Sequence, residues 1–211
     1  MIRLQDIIKE MAMIDPLRGL NKEKAFQEID VVIQAATDMG LQNPVIWRGT
    51  GGIKPVISKL PAQYSNIMFV TGDRQAFRGG TEGAMLLVKK IFKKENVQPV
   101  FAKTSRANIQ YFGQPAIVIL NKPYTIYQST EIDDVMVFAK DSVKNNPDNY
   151  ENAIQSGADT YNKVDLTQAD PVREIIIDVQ NYWLLPDSKL KDVKTYNDVV
   201  DYLNSLKGLY R

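Results

Sequence analysis

The sequence predicts an α+β fold, one domain of short antiparallel strands with helices added at both ends. Strand-like runs outnumber long helical patterns after residue 44. Those runs do not alternate with helices at the regular interval a doubly wound parallel sheet needs. A chain of 211 residues with no internal repeat, no low-complexity stretch and no evident boundary suits one domain with a sizeable core. Within it, residues 1–43 are expected to supply N-terminal helices, 44–186 the core and 187–211 a C-terminal helix.

Each element has a local reason. The opening MIRLQDIIKEMAMIDP reads as a short amphipathic helix ending before Pro16. In NKEKAFQEIDVVIQAATDMGLQ, Asn21 is the expected cap. Ala25, Phe26, Ile29, Val32, Ile33 and Ala36 recur at helical spacing, and Gly40 ends the run. PVIW is a strand; a Gly/Pro-punctuated segment, 49–66, leads to a second strand, NIMFVTG. GGTEGAMLLVKKIFKKEN places Thr81 at a helix start and Met85, Val88, Ile91 and Phe92 on one face. QPVFAKTS is a strand entering a short helix, RANIQYFG, closed by Gly113. PAIVIL and YTIYQS are consecutive strands broken at Lys122-Pro123. DDVMVFAKDSV and the residues from Tyr150 to Ser156 are helical, EIIIDVQNYWLL is the strongest strand, and KTYNDVVDYLNSLKG is a helix capped by Thr195 and stopped by Gly208.

Composition narrows the chemistry. The 44% hydrophobic and 24% charged content is that of a soluble globular protein, and the formal charge of +1 gives no general affinity for polyanions. Lys89, Lys90, Lys93 and Lys94 read as a solvated helix face and C-terminal dipole partners rather than a nucleic-acid patch. No run of about 18 apolar residues crosses a membrane, and Asp6, Glu10 and Asp15 are residues a signal peptide avoids. With no cysteine and no histidine there is no disulfide, thiolate nucleophile, zinc cluster, imidazole metal site or Ser-His-Asp triad. Reactions must come from carboxylates, Arg, Lys, Ser, Thr and Tyr.

Three features stand in a fixed order: Arg48 at the end of NPVIWRGTGG, the strand VFAKTS (100–105), and Glu174 opening EIIIDVQNYWLL. Together with WRGT (47–50), GDRQAFRGGT (72–81), YFG (111–113), YTIYQSTEIDD (124–134) and REIIIDVQNYWLL (173–185), this order resembles the ADP-ribosyltransferase superfamily in its arginine–Ser/Thr–glutamate class. The nearest likeness is to bacteriophage-encoded members. The resemblance spans roughly residues 44–186; each motif is weak alone, and the ordered set carries it. It implies split antiparallel β-sheets with flanking helices around an NAD site. It implies a mono-ADP-ribosyltransferase or NAD glycohydrolase that cleaves the nicotinamide–ribose bond, with NAD as substrate and a host protein as acceptor; the near-zero net charge argues against a nucleic-acid partner, and the lack of a long apolar run against a membrane. The host cytoplasm is the implied location, with the virion as the alternative for a phage protein.

The resemblance gives Arg48, beside Gly49, the task of holding the dinucleotide; a guanidinium next to a glycine-rich turn suits a pyrophosphate or a ribose, and pairing with a carboxylate at the sheet edge is the other reading. Glu174 is the candidate catalytic residue. A carboxylate that holds the ribose hydroxyl and faces the growing oxocarbenium charge stabilises the transition state more than the ground state, whereas an edge-strand glutamate in water would have no such role. Thr104 would support the pocket, and Ser105 would line it or cap helix 106–112. Arg74, in GDRQAFRGG with Asp73 and Arg78, would close over phosphates or pair with neighbouring acids. Tyr111, Tyr124 and Tyr127 would stack on a ring of the ligand or belong to the core. Two departures from the family pattern favour a second reading, a catalytically inactive structural or host-interaction protein of a phage. Lys103 takes the place of the serine that orients the glutamate, and Val172 takes the place of the Glu or Gln that guides the acceptor.

Overall fold

The computed structural model describes residues 22–49, 56–57, 68–71, 82–107, 109, 115–131, 149–186 and 192–208. The helices expected at 1–16 and in DDVMVFAKDSV, the caps Asn21 and Thr81, the GDRQAFRGG segment and most of 106–113 lie outside these residues.

Four α-helices are described, α1 (Lys22–Asp38), α2 (Glu82–Phe92), α3 (Tyr150–Ala158) and α4 (Tyr196–Gly208). Nine strands run β1 (Ile46–Gly49), β2 (Val56–Ile57), β3 (Met68–Thr71), β4 (Pro99–Ala102), β5 (Pro115–Leu120), β6 (Tyr124–Ser129), β7 (Tyr161–Lys163), β8 (Ile175–Val179) and β9 (Asn181–Pro186). They form two sheets, a five-stranded one in the order β1-β5-β9-β3-β2 and a four-stranded one in the order β4-β8-β6-β7. Every pairing is antiparallel. The expected α+β class is therefore present.

α1 ends where its sequence dictates. Gly40 adopts φ +89°, and a Cβ there would come within 2.8 Å of the Asn43 amide nitrogen. That amide donates to the Met39 carbonyl at 2.6 Å, so the glycine and the asparagine together finish the helix. At the start of α4 the expected threonine cap is reinforced by Asp198. Its carboxylate accepts the Lys194 N–H (2.8 Å), the Thr195 N–H (2.9 Å) and the Thr195 hydroxyl (3.2 Å). α1 and α4 pack on each other, tied by Lys207 to Asp30 at 2.5 Å.

Two clusters of buried side chains account for the layers. On the four-stranded sheet, Val100, Ala102, Ile126, Ile175, Ile177 and Val179 join the main core with the five-stranded sheet and the α1/α4 pair. The alternate residues Phe101, Tyr127 and Ile176 turn to the other face and pack against Leu87, Val88 and Ile91 of α2 and Ile154 of α3. Tyr127 meets Phe92 edge-on at 4.9 Å, so it belongs to this second core rather than to a ligand site.

EIIIDVQNYWLL, expected as one strand, is two. Gln180 is exposed and breaks it into β8, in the four-stranded sheet, and β9, at the centre of the five-stranded sheet. Residues on both sides of the break are buried on both faces, so the apolar run looks continuous in sequence. PAIVIL and YTIYQS likewise enter different sheets through a crossing at 121–123 that contains the cis Lys122-Pro123 bond. The two crossings lie side by side, with the Asn121 N–H donating to the Asn181 carbonyl at 3.1 Å.

Tyr196 links α4 to β1. Its fully buried hydroxyl donates to the Val118 carbonyl (2.6 Å) and accepts the Ile46 N–H (3.2 Å), standing where β1 and β5 would otherwise bond directly. Burial pushes this phenol far above the ordinary tyrosine value. Tyr196→Phe should therefore cost about 1–3 kcal/mol, because it strands a buried N–H and a buried carbonyl; urea denaturation with an unchanged m-value would show it. The Thr195 and Lys194 N–H groups hold the Asp198 carboxyl below its usual value. Its stabilisation is thus complete above the ordinary aspartate value of about 4 and is lost as pH falls through the folded-state value. Asp198→Asn should flatten this part of the acid limb when urea midpoints are compared across the carboxylate range.

Candidate functional site

The two sheets meet along β1 and β4. Trp47 and Lys103 pair there, with the Trp47 N–H donating to the Lys103 carbonyl at 2.7 Å and the Lys103 N–H to the Trp47 carbonyl at 2.9 Å. In the β4–β8 register Ala102 faces Ile175, so the next pair outward sets Lys103 across from Glu174. Arg48 follows Trp47 directly. The backbones that carry Arg48, Lys103 and Glu174 are therefore neighbours, with β1 and β8 two strand spacings, about 10 Å, apart at this seam. Both Arg48 and Glu174 lie at strand ends remote from the two crossings, since β5 begins opposite Gly49 and runs to the crossing after Leu120, and β8 runs from Ile175 to the other.

Arg48 is buried, with 7% of its surface exposed. One terminal guanidinium nitrogen donates to the Tyr182 hydroxyl at 3.0 Å, and the guanidinium carbon stands 5.9 Å from that ring's centre. The register explains the meeting. Arg48 faces Ala116 and Tyr182 faces Leu120, alternate positions of β5 that share one side of the sheet, and Ala116 opposite the arginine is small. A guanidinium has five donors, and a neutral phenol answers one of them. Among the described residues no carboxylate pairs with it. A charge taken out of water costs several kcal/mol unless it is paired.

Glu174 is half-buried, and the segment ahead of it is closely held. The Asp170 carboxylate accepts the Val172 N–H at 2.9 Å and pairs with the Arg173 Nε at 3.1 Å. Arg173 also donates to the Ser129 carbonyl at 3.1 Å and to the Thr130 carbonyl. The Lys103 ammonium donates to the Val172 carbonyl at 3.1 Å. Lys103 thus braces the backbone two residues before Glu174. Gln128, 5% exposed, completes the set with three bonds to the same segment.

The other candidates fall out as follows. Gly49 ends β1 opposite Pro115. Thr104 and Ser105 follow β4, half-buried, and the Ser105 hydroxyl accepts the Ala107 N–H at 3.2 Å, which agrees with the capping reading. Arg74 and Tyr111 lie outside the described residues. Tyr124 is elsewhere: it lines two hollows of about 410 Å³ and 270 Å³ at the crossing end of β6, the first also bordered by Asn43, Lys163 and Asp165. Burial first, then Asp165 and Asp38, raise its phenol above the ordinary value. Two of the four lysines on α2 and just beyond its end pair with acids, Lys89 with Glu95 at 3.0 Å and Lys94 with Asp178 at 2.7 Å, as a solvated face would. Among the described residues no cluster of acids could hold a metal ion, and no helix is long and apolar enough to cross a membrane. Sequence reasoning passed over Tyr182, Asp170 and Gln128. The only signal for Gln128 was a polar residue at an inward position of YTIYQS.

Compared with protein-family models, curated proteins and solved structures, the chain finds no match in any of the three.

If Arg48 lacks a counter-ion in the free protein, Arg48→Met should leave stability unchanged or raise it in urea denaturation. A loss of about 3–5 kcal/mol, the cost of breaking a buried ion pair, would instead reveal a carboxylate partner.

Proposed function

We propose that this chain is an ADP-ribosyltransferase-fold protein that cleaves the nicotinamide–ribose bond of NAD, passing ADP-ribose to a protein acceptor or to water. The observation that carries the reading is the buried Arg48 guanidinium, answered by a phenol and by no described carboxylate, at a seam whose register sets Glu174 two strand spacings away, opposite Lys103. The split pair of antiparallel sheets and the motif order along residues 44–186 support it.

In this reading Arg48 receives the anionic part of the dinucleotide, where guanidinium geometry and exclusion of water both strengthen the contact. Glu174 accepts a hydrogen bond from the ribose and faces the positive charge that grows on the sugar as nicotinamide leaves. Its interaction then strengthens toward the transition state, which is the part of binding that raises the rate. With water as acceptor the products are nicotinamide, ADP-ribose and a proton. Val172, 73% exposed ahead of Glu174, offers no carboxylate or amide to an incoming arginine, so the acceptor is not selected by that contact.

One observation favours the second reading, a catalytically silent phage protein of the same fold. Lys103 spends its ammonium on the Val172 carbonyl, at the position where the family pattern the sequence resembles has the serine that orients the glutamate. A single experiment separates the two. Under the first reading NAD raises the melting temperature, nicotinamide is released, and Glu174→Gln abolishes release by about 100-fold or more while the melting temperature of the free protein is kept. Absence of both NAD-dependent stabilisation and nicotinamide release would leave the silent reading standing.

A further inference from the structure

Gln128 is the buried polar side chain of β6 whose amide is wholly engaged by another element. Its register partner is Ile175, and its neighbours along the same face, Ile126 and Ile177, are core. An amide set among apolar side chains costs free energy unless both its ends are answered. Here they are. The side-chain carbonyl accepts the Asp170 N–H at 2.8 Å, and the NH2 group donates to the Asp170 carbonyl at 2.9 Å and the Arg173 carbonyl at 3.3 Å. All three bonds reach the four residues that precede Glu174. The bonds span the sequence from β6 to the 170–173 segment, so they fix that segment to the sheet rather than to itself. The Lys103 ammonium on the Val172 carbonyl holds the same segment from the opposite strand, β4.

We infer that Gln128 is a positioning residue for the Glu174 carboxylate, setting the segment that delivers it to the seam opposite Lys103, which is the second strut. The inference rests on the proposed NAD-cleaving reading and adds to it the group that aims the carboxylate. Gln128 touches neither NAD nor the reacting bond. Its effect is geometric, and displacement of a reacting group by about 1 Å can cost about 100-fold in rate.

Gln128→Glu supplies the test. A carboxylate accepts the Asp170 N–H but meets two carbonyl oxygens with a negative charge, and the segment shifts. When protonated it has one O–H donor and one carbonyl acceptor, and it again resembles the amide. The ratio of variant to wild-type kcat for nicotinamide release should fall about 10- to 100-fold at neutral pH and recover as pH is lowered, with KM for NAD unchanged. Lys103→Met should lower kcat in the same sense with no such recovery. Hydrogen exchange of the amides of residues 170–174 should quicken in Gln128→Glu at neutral pH and slow again at low pH, which reads the clamp without relying on turnover. An active wild type whose Gln128→Glu variant keeps its kcat overturns the positioning role alone. A wild type that binds and cleaves no NAD overturns the reading and the role with it, even where exchange shows the clamp. Should Gln128→Glu not fold, Gln128→Met, similar in length and lacking both polar ends, answers through the same kcat and KM split.

Discussion

The arrangement depends on one pair of backbone hydrogen bonds, those between Trp47 and Lys103. They join the edge of one sheet to the edge of the other, and the described candidates Arg48, Gly49, Thr104, Ser105 and Glu174 are placed by their distance from them along the chain. Arg48 is the next residue on one side, Glu174 the register partner on the other, and Thr104 and Ser105 follow directly. The pair is held in register by what lies on either side of it. Trp47 is buried and has the Arg106 guanidinium 5.9 Å from its ring, while β4 is pinned to β8 along its whole length.

The charges at this place are handled in two different ways. Around Glu174 the backbone is over-determined. Asp170, Arg173, Lys103 and Gln128 each spend polar groups on a few residues of chain, at a cost in side-chain entropy that only a defined geometry offsets. Around Arg48, among the described residues, one tyrosine hydroxyl answers a buried guanidinium that carries five donors. The polar groups of the 170–173 segment are answered from β4 and β6, on both sides of β8.

Much of this was legible in the sequence. The helical period of α1, the glycine at 40 and the cap of α4 are local signals, and they gave elements within a residue or two of those observed. Arg48 and Glu174 stood out because a charged residue at the end of an apolar run is itself a local anomaly. The break at Gln180 was hidden since the chain is buried on both faces before and after it, and periodicity cannot divide a run that never alternates. The pairings of Arg48 with Tyr182 and of Gln128 with the 170–173 segment were hidden for a different reason. They join residues far apart in the chain, and a buried glutamine or tyrosine has the same one-letter appearance whether its partner is water or a distant carbonyl.

The position of β9 has a consequence for the making of the protein. It is the third strand of five in its sheet but the last to be synthesised, and the Tyr196 hydroxyl that spans β1 and β5 comes later still. While the ribosome is still adding residues 181–196, β3 and β5 have no partner between them, and both present bare edges. Acquisition of the native sheet is thus a late, long-range event rather than a stepwise one. A nascent chain interrupted before that point lacks the strand that joins β5 to β3 in the five-stranded sheet.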